Sequence, residues 1–303
     1  MTEIVAYIAW ILGVPALVRA ISRNKVAILL YHDPDPSVFN DHLRYLGERY
    51  NVVPFRRVVE ALSSGNWLEL PKNSLVINID DGYRRNIELV PVCARHGVEP
   101  TLYLCSHVAG TRRRFWSKLA SGRSKHLRLV ENRRLLAKLR DEADYIPERE
   151  FKSREALSSS EIATMAPQFD FQSHGRYHFS LLTLDDAELS EELAASRKQV
   201  EVLTAGSCEH FSYPYGDYSQ REIRAAKAAG YKTARTTRAG WVSSRSDPYV
   251  LPIVADVPGT ISTNQLRLHL TGLPRLVKRL VYILVTKHFH AVRERILMSR
   301  RFF

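Results

Sequence analysis

Cysteine is scarce in this chain, with three residues in 303, at positions 93, 105 and 208. They form no CxxC or zinc-ribbon spacing, and an odd number leaves no complete disulfide framework. Cys93, Cys105 and Cys208 are therefore expected as small buried hydrophobes. The apolar run at the N-terminus, Ile4 to Val18, has 15 residues and is interrupted by Pro15. As a helix it reaches about 22 Å, short of the roughly 30 Å hydrocarbon core of a bilayer. Basic residues are missing ahead of it. Glu3 precedes the run, while Arg19, Arg23 and Lys25 follow, which makes a weak secretory signal even with Ala16 to Ala20 as a poor cleavage site. The reading is a membrane-surface helix over residues 1–25. A spanning or signal segment and a helix packed on the domain are the alternatives. Internal repeats and low-complexity linkers are also absent.

Acidic residues are nearly absent from the last stretch. From Arg267 to the end there are nine Lys and Arg against one acid, Glu294, so +8 of the formal +12 sits there. Leu273, Leu276, Leu280, Leu284 and Ile296 fall on one helical stripe and Arg275, Lys278, Arg279 and Arg293 on another. A basic amphipathic helix of this kind implies an anionic membrane surface as partner. Nucleic acid is not expected, because no recognition motif accompanies the charge. A helix closing the domain with its charged face in water is the plainer alternative.

The composition itself, 45% hydrophobic and 25% charged, is that of a folded chain. Val26 to Leu30 reads as a strand ending at Tyr31-His32-Asp33, with Phe39, Leu43 and Leu46 at helical spacing after it. Val52 and Val53 suggest another strand. Leu75 to Ile79 reads as a strand running into Asp80-Asp81-Gly82, Asn86 to His96 as a helix and Thr101 to Cys105 as the next strand. This alternation implies a parallel sheet with crossover helices. A basic helical insertion is expected over residues 111–154. The rhythm then resumes with strands at Phe169 to Gln172, Phe211 to Tyr213 and Lys232 to Thr236, and a long helix over Asp185 to Leu203.

Three groups of residues sit at the expected C-terminal ends of strands, where α/β barrels carry their chemistry. In Asn78-Ile79-Asp80-Asp81-Gly82-Tyr83, adjacent carboxylates leave a strand in different directions, so one can bind a metal while the other acts on a water; alone, the group is also an ordinary turn. In His174-Gly175-Arg176-Tyr177-His178, two imidazoles four apart can reach one ion from a single helical turn, although such pairs are often structural. Phe211-Ser212-Tyr213-Pro214-Tyr215-Gly216 by itself is an aromatic turn.

In this order and spacing the three groups resemble the T-F-D-D-G, H-[ST]-x-x-H and R-P-x-[YF]-G signatures of the polysaccharide deacetylases, carbohydrate esterase family 4. The resemblance covers roughly Val26 to Val257, including the lead-in Tyr31-His32 and Leu157-Ser158-Ser159 ahead of Glu161. It implies a distorted (β/α) barrel over residues 26–266, with flanking amphipathic helices over residues 1–25 and 267–303. It implies Asp80 as general base, and Asp81, His174 and His178 as ligands of a divalent metal, with zinc expected from that ligand set. Tyr215 is implied as the residue whose backbone N–H helps hold the oxyanion.

Two departures qualify the match. Ser212 stands where the family usually has an Arg that orients the base, as in the F-x-Y-P-Y-G branch, which includes deacetylases of biofilm poly-N-acetylglucosamine. The late L-x-H motif, source of the His that protonates the leaving amine, is missing, since Val250 to Val257 contains no histidine. His32 is the leading substitute, as acid or substrate contact, ahead of Asp33 and Asp256. His269, His288 and His290 are expected to face solvent or lipid headgroups. The expected activity is hydrolysis of the N-acetyl group of an amino sugar in a polysaccharide or lipid-linked glycan, at the cytoplasmic side of a membrane. Deformylation of a lipid-linked amino sugar, or a non-catalytic glycan-binding module on the same fold, are the rivals.

Overall fold

Among the described residues, nine parallel strands build one sheet: β1 Ala27–Tyr31, β2 Asn51–Val52, β3 Ser74–Asp81, β4 Thr101–Leu104, β5 Asp170–Ser173, β6 His210–Ser212, β7 Thr233–Ala239, β8 Leu251–Ile253 and β9 Ala255–Asp256. The computed structural model describes residues 3–119 and 124–275. Along the sheet the order is β8-β7-β6-β5-β4-β3-β1-β9, with β2 pairing β3 on the side. β8 and β9 are two halves of one bent segment. Leu251 and Ile253 pair with β7, and Ala255 and Asp256 then pair with β1, so the two ends of the sheet meet there. The sheet is nearly closed into the distorted (β/α) barrel, with helices outside.

Strand alternation divides the side chains into two sets. Leu29, Ile77, Ile79, Leu102, Leu104, Phe171 and Phe211 face outward into the large core beneath the helices. The inward set is mixed. Ile28, Leu30, Val76, Leu251 and Ile253 make one side of the barrel interior apolar. The other side is polar, and several of its groups pair with one another. There Thr101 donates to Asp170 (3.1 Å), Thr233 Oγ1 meets His210 Nδ1 (3.1 Å), and Gln172 Oε1 accepts the N–H groups of Glu209 and His210, both at 2.8 Å.

Local chemistry sets the crossovers. Helices open on capping boxes at Ser158/Glu161, Asp185/Glu188, Ser219/Glu222 and Ser262/Gln265, each satisfying two otherwise orphaned N–H groups. The segment expected as one helix over Asn86 to His96 is instead a 3-10 turn, Arg84–Leu89, followed by a helix Val90–His96. Pro91, in the first turn of the second piece, explains the division, since its ring fits a helix start and not an interior. Between strands β4 and β5, short helices lie at Trp116–Leu119, Ser124–Leu127 and Asn132–Ala143.

At the N-terminus two helices, α1 (Glu3–Ile11) and α2 (Val14–Ile21), meet at 66° about Gly13. No single helix among the described residues is long and apolar enough to cross a membrane, although this bent pair would suffice by length and composition. Ala6 is buried against the domain, and the Arg267 guanidinium lies 5.2 Å over the Trp10 ring. The helix Thr263–His269 continues across position 266/267 and buries Leu266 and Leu268. His269 is half-buried there rather than solvent-facing, and burial pulls its imidazole down. Arg275 donates to the carbonyls of Thr237 (2.5 Å) and Ile253 (3.3 Å). Beyond it, most of the expected stripe to Ile296, with His288 and His290, lies outside the described residues.

Leu29, wholly buried on the outer face of β1, and Leu68, 95% exposed, give a direct test of this layering. Leu29→Ala should cost about 2–5 kcal/mol in denaturant unfolding, and Leu68→Ala should stay within about 0.5 kcal/mol of wild type.

Candidate active site

The end of β3 delivers both carboxylates. Asp80 keeps the strand alternation and points into the polar half of the barrel. Asp81, the last residue of the strand, turns into the left-handed region at φ 76°. The turn sends the second side chain away from the first. Non-glycine residues rarely adopt this conformation, and where they do the strain is commonly functional. His178 (φ 60°) and Tyr215 (φ 61°) share it, so three of the six such residues among those described lie in this one site.

His174 follows β5, and its Nδ1 donates to the Ser212 carbonyl on β6 at 2.7 Å. That bond fixes the tautomer and leaves Nε2 free to act as a ligand. His174 Nε2 lies 3.7 Å from Asp81 Oδ1 and 3.5 Å from Asp80 Oδ2, and His178 Nε2 lies 3.4 Å from Asp81 Oδ1. One potential ligand atom each from Asp81, His174 and His178 falls within 4.8 Å of the others. Burial holds the His178 imidazole down at about 4 despite Asp81, so it is neutral at physiological pH, as a ligand must be. Two borderline nitrogens and one carboxylate oxygen suit a divalent transition metal with positions left open. The residues fit the ion.

The histidines do not come from a helical turn, as their spacing suggested. They flank an irregular loop, and their rings meet edge to face at 4.8 Å. The insertion supports this loop, with Trp116 Nε1 donating to the His178 carbonyl at 3.3 Å. Arg128 lies 5.4 Å over the Tyr215 ring, which itself packs edge-on against His178 at 4.6 Å. Cys105 is a weak donor toward Asp81 Oδ1 at 3.9 Å.

Asp80 receives the partner that the motif around Ser212 lacks. Arg235, buried on β7 and in register with Ser212, places Nη2 2.6 Å from Asp80 Oδ1 and in contact with Oδ2. Ser212 Oγ accepts from the same nitrogen and donates to Asp80 Oδ2 at 3.3 Å. Burial alone would push the Asp80 carboxyl up. Arg235, then His174 and His32, outweigh burial and hold it below the ordinary carboxylate value. Asp81 is likewise pushed up by burial and held down by His178, His32 and His174. Sequence reasoning missed Arg235. The one available signal was an arginine at an inward-facing position of a buried strand.

His32 follows β1, with its side chain 38% exposed, and its Nδ1 lies 3.6 Å from Asp256 Oδ1 at the end of β9. Burial draws this imidazole down, but Asp81, Asp80 and Asp256 outweigh it and leave the group above 6.5. Asp33 is engaged elsewhere, accepting from Arg85 Nε at 3.0 Å. At the Tyr215 turn, Thr237 Oγ1 donates to the Tyr215 carbonyl at 3.1 Å. Gly216 (φ 75°) lets the chain pass, since a Cβ there would lie 2.2 Å from Thr237 Oγ1.

Comparison with known proteins bears on family and fold. The family model of polysaccharide deacetylases matches residues 68–234. YxkH of Bacillus subtilis (strain 168), a protein named as a polysaccharide deacetylase, is 22% identical over 255 residues, covering 80% of this chain and 76% of its own. Among solved structures, the Streptococcus pyogenes deacetylase PplD in complex with acetate superposes with TM-score 0.59 at 18% identity, over 80% of this chain and 97% of that one. IcaB from Ammonifex degensii gives 0.58 at 15%, over 82% and 97%. The chain belongs to the polysaccharide deacetylase family, hydrolases of carbon–nitrogen bonds that act on glycans.

Proposed function

We propose that this enzyme removes the N-acetyl group of an amino sugar, with Asp80 as base and Asp81, His174 and His178 holding a zinc ion. The supporting observation is the separation of the two carboxylates: Asp80 is tied to Arg235, while Asp81 faces both imidazoles. Such an ion, when bound, lowers the pKa of a water and polarises the acyl carbonyl. Asp80, kept anionic by Arg235, takes the proton of the attacking water at a carboxylate oxygen. The Tyr215 backbone N–H donates to the developing oxyanion. His32, braced by Asp256, delivers a proton to the leaving nitrogen. The C–N bond breaks, the acyl carbon gains the hydroxyl, and acetate and a free amine leave. An intact base and ligand set favours this over a non-catalytic module.

We place the enzyme against an anionic membrane, acting on a lipid-linked glycan. α1 turns apolar side chains to solvent, with Ile4 69% and Ile11 61% exposed, and Leu12 in the turn and Leu17 and Ile21 on α2 are exposed too. Singly such residues are ordinary, but so many in one short segment, with Arg19, Arg23 and Lys25 at its end, suit a headgroup interface. Positive charge after the first segment favours the cytoplasmic side.

Three measurements test this reading. Asp80→Asn should retain metal by elemental analysis and lose acetate release from N-acetylhexosamine oligomers at least about a hundredfold; His178→Ala should lose stoichiometric metal, and chelator should abolish wild-type activity. Retained turnover in Asp80→Asn would assign the base elsewhere. In the pH profile of kcat/KM, activity should fall as pH rises through the His32 pKa, which lies above 6.5, because only the protonated imidazole can donate. His32→Gln should lower activity and remove that alkaline limb, whereas an unchanged limb would exclude His32 as the acid. The protein should also co-sediment with anionic vesicles, and serine at Ile4, Ile8 and Ile11 together should release it. Full-length protein staying in solution beside such vesicles at low salt would refute the membrane reading.

A further inference from the structure

Five backbone groups between the two histidines find partners outside the loop or at its entry. The Gly175 N–H donates to Ser173 Oγ at 3.3 Å, and the carbonyls of Gly175 and Arg176 accept from the N–H groups of Ser106 (3.0 Å) and His107 (3.1 Å). The N–H groups of Arg176 and Tyr177 converge on a single atom, Glu192 Oε1, at 2.6 and 3.1 Å. Glu192 lies in the helix Asp186–Thr204 and is 4% exposed. Burying a carboxyl is costly unless its hydrogen bonds compensate, and here the bonds go to the backbone between the two histidines.

The glycine beside it completes the argument. The family signature has Ser or Thr directly after the first histidine, and this chain has Gly175 at φ 78°. A Cβ there would lie 3.0 Å from Glu192 Oε1, tighter than ordinary contact. The carboxylate and a side chain at 175 compete for one space, and here the carboxylate occupies it.

We propose that Glu192 is a positioning residue of the metal centre. Its carboxylate, admitted by Gly175, holds the backbone between His174 and His178 and thereby sets the spacing of their Nε2 atoms and the affinity for the ion. This rests on the reading of Asp81, His174 and His178 as metal ligands. Outer partners that orient ligands typically change affinity roughly 10- to 100-fold when removed.

The test is the zinc dissociation constant, by chelator competition on the folded full-length protein, with circular dichroism as the folding control. Glu192→Asp withdraws the oxygen from both N–H groups and should weaken zinc binding roughly 10- to 100-fold, with turnover recovering at saturating zinc. Glu192→Gln keeps an acceptor oxygen and should bind like wild type. Gly175→Ala crowds an intact Glu192 and strains the backbone at φ 78°, so it should also weaken binding, and a wild-type constant there counts against the proposal even if the Asp variant does not fold. Wild-type affinity in folded Glu192→Asp, or in Gly175→Ala, overturns the proposal. His178→Ala separates the two layers: if it binds zinc as wild type does, the ligand assignment fails and this proposal falls with it.

Discussion

A carboxylate buried inside a barrel survives as an anion only beside a cation, and the Asp80–Arg235 pair is the constraint on which the site depends. Placing either charge alone in that interior would be severely destabilising, while together they satisfy each other with Ser212 between them. The pair also accounts for the uneven barrel. Apolar residues from β1, β3 and β8 fill one side, and the side carrying Asp80, Tyr103, Ser212 and Arg235 is polar. The guanidinium thus keeps the Asp80 carboxylate ionised and fixes where its oxygens point.

The second constraint is the backbone at the strand end. Two adjacent aspartates would remain alternate side chains of one strand without the left-handed turn at Asp81. With it, one carboxylate stays with the arginine and the other meets two imidazoles. The same conformation recurs at His178 and Tyr215, and neighbouring elements brace those two through the Trp116, Glu192 and Thr237 contacts. Rigid surroundings support a strained site.

The parallel βα order, the gathering of Asp80, Asp81, His174 and His178 at strand ends and the convergence of the last three were legible from local patterns: short apolar runs, capping residues, and carboxylates or imidazoles at short spacing. What escaped was long-range or conformational. Arg235 lies 155 positions from Asp80, and only the β3–β4–β5–β6–β7 pairing brings them together. The histidine spacing suggested a helical turn because i, i+4 residues share a helix face, yet Gly175 and the backbone bonds to Glu192 favour a loop. The stretch over residues 111–154 read only as a basic helical insertion, while Trp116 and Arg128 reach the site through contacts no periodicity encodes. In the same way, charge composition drew a boundary at Arg267 through a helix whose apolar side chains are buried in the domain.

The division of labour between Asp80 and Asp81 can be observed directly by anomalous diffraction from zinc-soaked crystals, recorded on both sides of the metal edge. The account predicts one peak at coordination distance from Asp81, His174 and His178, with Asp80 still bound to Arg235. A peak liganded by Asp80 in place of Asp81, or none at this trio in protein shown to contain zinc, would contradict it.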